Sequence, residues 1–371
     1  MQVFWDFFST FASKMDKNIV STSDVIKQMR LPLIILVTYA HSYGGITEGY
    51  SLTASVWSTL EVLKLLISQT LVKAAVPTFF VISGYLFFAN VEPWNRQTYW
   101  QKIKRRIRTL LIPYLLWNLL MSFKLKSLSL NTFWAFWSEA GQQTDWLGQT
   151  HLMTAPANMP LWFLRDLMVV SLLTPIIYTG IRRLGYWLMV PLTLLYLSGV
   201  SPFMPGLSAY AIYFFTLGAF LGIRKLDAVE TCLRFEWVAY ILTVGFALAM
   251  MLTYGYAVFS SMMLCFRLVS VAALFCLFNR IVSCTRKQNT TSKGKQLASP
   301  SYFIYLAHFV FFFSFLDKAF FELFGTSETA QCVHYLLCPL LKAAILAAVY
   351  KVISYFWVFL TERVHTAFQK G

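Results

Sequence analysis

Arg30 and His41 are separated by ten residues and bracket a largely apolar stretch. Ionisable side chains in such a stretch are costly in a membrane and are therefore candidates for function. An imidazole can take a proton from a hydroxyl near neutral pH, which makes His41 a candidate general base. A hydrogen-bonded histidine inside a helix bundle is the alternative. On one helix the two residues lie roughly 16 Å apart, with Arg30 opening the helix and His41 deep within it.

A second chemical candidate is the basic run from Lys102 to Arg108, which contains Arg105, Arg106 and Arg108. Guanidinium groups match phosphate oxygens, and the start of a helix favours anions. The run is therefore a candidate phosphate-binding cluster. The alternative is ordinary basic charge that sets membrane topology.

Three further side chains are open to two interpretations. Asp166 either orients an imidazole or binds a sugar hydroxyl, or it pairs locally with Arg165. His308 either lines a pore or packs in a core. Ser83 has no identifiable base as a nucleophile, and with Gly84 it favours close helix packing.

The composition places these residues in lipid. Of 371 residues, 58% are hydrophobic and only 13% are charged, whereas a soluble surface needs about 25% charged residues. The net charge of +15 is read as membrane topology and not as nucleic-acid binding. The six cysteines show neither CxxC spacing nor a histidine at ligand spacing, so no metal site is predicted. Cys332 and Cys338 form the one pair considered for a disulfide.

Apolar runs predict an all-α polytopic protein with about ten transmembrane helices. Lys and Arg concentrate at the even-numbered boundaries, which predicts that both termini are cytoplasmic. We expect an N-terminal cytoplasmic or interfacial segment (1–28), a membrane domain (29–361) and a cytoplasmic tail (362–371). The predicted helices are 29–44, 67–89, 107–123, 161–180, 184–200, 208–223, 236–254, 257–282, 301–324 and 334–361.

Three segments outside these helices have distinctive compositions. Aromatic residues near the N terminus suggest a short helix on the membrane surface. The external stretch 124–160 contains Trp134, Trp137, Trp146 and His151, which suits an interfacial aromatic belt or stacking on sugar rings. The stretch 283–299 is typical of a flexible linker.

The order of motifs resembles the bacterial acyltransferase-3 family over nearly the whole chain. These motifs are Arg30-x10-His41, VPTFFVISGYLFF (76–88), Arg105-x-x-Arg108 followed by LLIPYLLWN (110–118), LWFLRDL (161–167) and SYFIYLAHF (301–309). Trp162 and the two residues after it resemble the branch with fucose O-acetylase-like proteins.

The resemblance implies a membrane O-acyltransferase, most simply an O-acetyltransferase of the bacterial inner membrane. Acetyl-CoA or another acyl-CoA would be the co-substrate, with no permanently bound cofactor. The acceptor would be a hydroxyl of an O-antigen, exopolysaccharide or related glycan, free or lipid-linked. His41 takes the catalytic role with Arg30 as its motif partner, and Arg105 and Arg108 handle the coenzyme A phosphates. Arg106 is basic but lies outside that spacing.

The alternative to an enzyme is a carrier or flippase for a lipid-linked saccharide. In that case His41 and Asp166 would line a substrate path. In the enzyme, the pore or acceptor-side candidates are Asp166, Trp162, His308 and Ser83. The chain shows no recognisable internal symmetry such as many carriers have. A scaffold for a polysaccharide assembly complex would leave the Arg30/His41 spacing unexplained.

Overall fold

A computed structural model describes residues 19–42, 46, 50–53, 57–91, 93–124, 139–144, 150–200, 205–288, 300–311 and 314–368. Its side chains are described except over 139–155, 286–288 and 357–368. The predicted surface helix, Trp134, Trp137, Trp146 and most of the predicted linker lie outside the described residues. His151 lies in a described strand, but its side chain is not described.

The described chain is largely helical. Its helices are Thr22–Ala40, Thr59–Phe88, Arg96–Arg106, Ile107–Leu111, Ile112–Lys124, Met159–Leu161, Trp162–Leu172, Thr174–Leu184, Gly185–Leu188, Met189–Leu197, Ala209–Ile223, Ala228–Leu233, Glu236–Thr253, Val258–Gln288, Ser301–Ala307, Ser314–Phe324 and Glu328–Phe368. One antiparallel hairpin joins Glu139–Thr144 to Thr150–Ala155, pairing Glu139 with Ala155 and Thr144 with Thr150. This short hairpin lies in the stretch that was predicted to be external, and the helices confirm the all-α fold class.

Four helices of the described residues are long and apolar enough to cross a membrane: Thr59–Phe88, Glu236–Thr253, Val258–Thr285 and Glu328–Phe356. A fifth span results if Met159–Leu172 and Thr174–Leu197, which meet at a bend of 60°, count as one. The helix Glu236–Thr253 leaves apolar side chains such as Ile241 68% exposed, as lipid contact requires. The chain is therefore an integral membrane protein, whereas ten spans and the orientation of the termini stay predictions.

The first helix, Thr22–Ala40, differs from the predicted 29–44 at both ends. It begins earlier because Ser21 accepts a hydrogen bond from the backbone N–H of Asp24 and so caps the helix start. Its first two turns bury Val25 and Ile26 against the protein. The prediction that Arg30 opens the helix is therefore wrong, since Arg30 lies eight residues inside it, and His41 follows the helix end.

The chain divides into two compact units. The first comprises the described parts of Met1–Arg30, Val76–Arg106 and Asp166–Gln296. Its central helix, Ala209–Ile223, is apolar and buried on nearly all sides, which is typical of a helix packed within protein. Ser208 caps this helix by accepting a hydrogen bond from the N–H of Ala211.

Glycines let the central helix approach its neighbour at backbone distance. A Cβ added at Gly218 would collide with the carbonyl oxygen of Val81 and lie 2.9 Å from the amide nitrogen of Tyr85. A Cβ at Gly84 would collide in the same way with the carbonyl oxygen of Phe215. The close packing expected around Ser83 and Gly84 is therefore confirmed for Gly84.

Gly218→Ala is expected to destabilise the protein, because the added methyl group meets backbone atoms that cannot rotate away. Overpacking of this kind costs about 1–3 kcal/mol. The matched control is Gly245→Ala, since a Cβ at Gly245 meets nothing within 4 Å. Thermal unfolding of both variants in detergent should show a lower midpoint for Gly218→Ala alone, and equal midpoints would contradict the prediction.

The second unit comprises the described parts of Leu31–Ala75, Ile107–Arg165 and Leu297–Gly371. Its apolar cluster joins the end of the first helix, the helix Thr59–Phe88 and the long helix Glu328–Phe368. The cluster contains Tyr39, Leu60, Val72 and Tyr335, with Ile35, Leu36, Ala40, Leu63, Ile67 and Cys332 packed against it. Its packing fixes the chain segment that leads into His41.

Candidate functional site

Hydrogen bonds hold the turn that carries His41. The hydroxyl of Ser68 donates to the carbonyl oxygen of Tyr39 at 2.8 Å and lies 2.7 Å from the hydroxyl of Tyr335. The hydroxyl of Tyr39 in turn donates to the carbonyl oxygen of Leu336 at 2.6 Å. The carbonyls at the end of a helix have no partner within it, and Ser68 supplies one here. These bonds fix the backbone two residues before His41.

Ser68 reaches this position from an irregular turn. Leu65–Thr70 forms a π-helical turn within the longer helix Thr59–Phe88. Such turns are rare and often occur at functional sites. The hydroxyl of Thr70 satisfies the carbonyl oxygen of Leu65 at 2.9 Å within the turn. The irregular helix therefore supports the end of the first helix.

His308 also lies where a helix ends. The predicted helix 301–324 is wrong, because Ser301–Ala307 ends before a turn that contains His308 and a new helix begins at Ser314. The ammonium group of Lys124 donates to the carbonyl oxygen of Val310 at 2.6 Å. Non-helical backbone at membrane depth needs such partners, and an apolarity pattern does not detect them.

Two hydrogen bonds fix the ring of His308 and the helix before it. Its Nδ1 lies 2.7 Å from the carbonyl oxygen of Tyr305. The hydroxyl of Tyr305 donates to the carbonyl oxygen of Pro160 at 2.6 Å, and its ring contacts Phe163. The LWFL segment, which contains Trp162, therefore packs beside Tyr305, the residue that bonds the ring of His308.

The structure brings His41 and His308 together. Their ring centroids lie 5.4 Å apart with the planes tilted by 44°, and the ring of Phe309 contacts His41 at 5.6 Å. Both imidazoles line a small cleft together with Thr38, Ser42, Pro339, Lys342, Ala343 and Leu346. His308 thus lies beside His41 at this cleft, while its Nε2 is buried, and both interpretations of its role stay predictions.

The atoms of the two imidazoles differ in their environment. The Nε2 of His308 is buried and has no hydrogen-bond partner within the described part of the chain. No hydrogen bond joins the ring of His41 to any of the residues that the structure describes. Imidazole nitrogens without hydrogen-bond partners in a cleft can bind a hydroxyl and take its proton.

Lys342 adds a positive charge to the cleft wall, and an ion pair holds it there. Its ammonium donates to both carboxylate oxygens of Asp317, at 2.8 and 2.9 Å. The ring of His334 and the thiol of Cys338 also bond one of these oxygens. Donor atoms of Asp317, His334 and Cys338 lie within 4.8 Å of one another and could in principle ligate a metal ion. The ammonium bonded to both oxygens opposes a second cation, so the arrangement is better described as an ion-pair network.

The statement that no cysteine has a histidine at ligand spacing is wrong for this network, and the signal was present in the sequence. His334, Cys338 and Lys342 recur every four residues and so share one face of a helix. Asp317 lies on a different helix and could not be connected to them from sequence. The prediction treated the segment from residue 334 only as a membrane span.

The predicted arginines lie in different surroundings. Arg30, Arg105 and Arg108 are exposed. Arg106 instead lies over the ring of Phe87, 5.1 Å from its centroid, and donates to the carbonyl oxygen of Ser83 at 3.4 Å. Burial, and then the charge of Arg105, lowers the pKa of Arg106 to about 10, so it stays charged at neutral pH.

Asp166 and Ser83 make local contacts. Asp166 is buried and accepts a hydrogen bond from the hydroxyl of Ser208 at 2.9 Å, which supports the cap of the central helix. Ser83 acts through its backbone carbonyl, as acceptor for Arg106. Both contacts are structural, and neither residue is in the lining of the cleft.

The helices and the cleft define an integral membrane protein with two imidazoles at one candidate site. Residues 25–349 match the Acyltransferase domain family, and the chain belongs to that family. The chain is also similar to the succinoglycan biosynthesis protein ExoH of Rhizobium meliloti (strain 1021), with 28% identity over 174 residues. This match covers 46% of the chain and 45% of that protein, so the chain spans less than half the length of this curated relative. No solved structure matches the chain.

Proposed function

We propose that this protein is a membrane O-acyltransferase of the bacterial inner membrane. It moves an acyl group, most simply acetyl, from acyl-CoA to a hydroxyl of a glycan sugar or of its lipid-linked precursor. The observation that carries the proposal is the contact of His41 with His308 in a cleft, in a chain that belongs to an acyltransferase family.

In the proposed reaction His41 takes the proton of the sugar hydroxyl. The oxygen attacks the thioester carbonyl, a tetrahedral oxyanion forms, and the carbon–sulfur bond then breaks. The proton passes from His41 to the thiolate, so that the products are an O-acyl sugar and free coenzyme A. The ammonium of Lys342, on the wall of the same cleft, stabilises the negative charge of the oxyanion.

The proposal assigns the donor phosphates to Arg105 and Arg108. Both are exposed, and guanidinium groups bind phosphate through paired hydrogen bonds. Arg106 contributes charge but is already placed against Phe87. Its main role in the proposal is to anchor the end of the helix Arg96–Arg106, which carries Arg105.

The acceptor is proposed from chemistry and from similarity. A base beside a hydroxyl requires an alcohol nucleophile, and sugars supply many. The similarity to a protein named for succinoglycan biosynthesis favours an exopolysaccharide or its lipid-linked repeat over a small free sugar. O-antigen sugars present the same hydroxyl chemistry.

Release of free thiol tests the reaction class. We expect the purified protein in detergent to release coenzyme A from acetyl-CoA in the presence of a lipid-linked saccharide or exopolysaccharide fragment, with the acetyl group recovered on the sugar. Omission of the acceptor is the control. Absence of thiol release together with movement of the saccharide across liposomes would establish a carrier instead.

A further inference from the structure

Among the described residues, no donor bonds the Nε2 atom of His308. A carbonyl oxygen can only accept, so the 2.7 Å contact with Tyr305 requires the proton on Nδ1. In the neutral ring Nε2 then carries the lone pair. This atom is buried and has no partner among the described residues, and a buried acceptor left unfilled is destabilising. A donor is therefore expected to join it in the working protein.

His41 can supply that donor. Its ring lies 5.4 Å from that of His308, centroid to centroid, and the two share one cleft. This separation accommodates one N–H···N hydrogen bond when a nitrogen of each ring faces the other. Among the described residues no other hydrogen bond fixes which nitrogen of His41 carries its proton.

We infer that His308 is a positioning residue whose Nε2 accepts a hydrogen bond from a ring N–H of His41. The bond leaves the other nitrogen of His41 as the base that faces the acceptor hydroxyl. This inference rests on the proposed function, because it specifies how His41 is made a base. A main-chain carbonyl thereby orients His41 through His308, without a carboxylate.

The charges around His41 give this bond a second consequence. Lys73 acts on His41 from the helix Thr59–Phe88, and Lys342 lines the cleft from the long helix. The ammonium of Lys73 opposes a positive charge on His41, whereas that of Lys342 is paired with the carboxylate of Asp317. The lone pair of His308 stabilises that charge, so the bond assists the step in which His41 becomes imidazolium.

Two variants of His308 separate this role from a merely structural one. His308→Asn keeps an amide N–H near the position of Nδ1 and so can retain the bond to Tyr305, but it removes the acceptor. His308→Gln extends an amide oxygen towards the position of Nε2 and loses the anchor. We expect His308→Asn to lower kcat roughly 10- to 100-fold, as loss of a partner that orients a functional imidazole does. The KM for acyl-CoA should be unchanged, and His308→Gln should retain more activity.

The pH profile and an activity-independent measurement complete the test. Without the acceptor the His41 imidazolium is less stable, so the acidic limb of kcat/KM should move to lower pH in His308→Asn.

Solid-state NMR of ¹⁵N-histidine protein should show one tautomer for His41 in the wild type and a mixture in His308→Asn. The chain has five histidines, and the signal of His41 is assigned by its loss in His41→Ala. An unchanged tautomer, or greater activity in His308→Asn than in His308→Gln, would overturn the inference. If wild-type protein turned over no acyl-CoA, the proposed function would fail while the NMR result still decided the hydrogen bond.

Discussion

His41→Ala is expected to abolish acyl transfer while leaving the protein folded. Loss of a general base lowers the rate by about 10²–10⁴-fold, and the Nε2 of His308 is not placed to replace it, because that atom is buried. His41 lies in a turn held mainly by Ser68 and Tyr39, so its side chain contributes little to that fold. Thiol release from acetyl-CoA and acetyl recovery on the acceptor measure the loss.

The matched control for His41→Ala is His334→Ala. His334 belongs to the same unit and bonds Asp317, but it is not among the residues that line the cleft. We expect this variant to keep kcat within a few-fold of the wild type. Added imidazole should restore part of the activity of His41→Ala, because a free base can enter the vacated space. Turnover in His41→Ala equal to that of His334→Ala would refute the role of His41.

The types of the reacting residues could be predicted from sequence, but their pairing could not. The cost of a histidine in an apolar stretch is a local property, and it drew attention to His41. The contact with His308 joins positions 267 residues apart, and it depends on a helix that breaks at His308. The stabilising partners of that break, Lys124 and Tyr305, leave no periodic pattern. Apolarity alone therefore predicted one continuous helix there.

The error at the first helix has a different cause. Apolarity windows start a span where continuous hydrophobicity begins, so the predicted helix started at 29. The residues before it belong to an amphipathic segment that buries Thr22, Val25, Ile26 and Met29 at helical spacing. The cap at Ser21 was the available signal for the true start. It shifts Arg30 from the mouth of the helix to its interior turns.

Replacing both Arg105 and Arg108 by glutamine is expected to raise the KM for acyl-CoA strongly, with a smaller effect on kcat at saturation. Hydrogen bonds to charged groups contribute about 1.5–3 kcal/mol each, which corresponds to roughly tenfold or more in KM per arginine lost. The phosphates lie far from the thioester carbon, so their binding is uniform between ground state and transition state. Uniform binding changes KM and leaves kcat nearly constant.

Lys104→Gln is the matched control for this pair, since Lys104 is an exposed cation of the same helix outside the motif spacing. Arg106 is unsuitable as a control, because its loss would break the contacts with Phe87 and Ser83. An acyl thioester of dephospho-coenzyme A, used as the donor, provides the second change of a double-mutant cycle. Removal of the 3′-phosphate should raise the KM of the wild type more than that of the variants, because a phosphate and the arginine that binds it contribute one shared term. If removal of the 3′-phosphate raised KM equally in the wild type and in the variants, Arg105 and Arg108 would act only as topology charge. The donor would then have to be bound elsewhere.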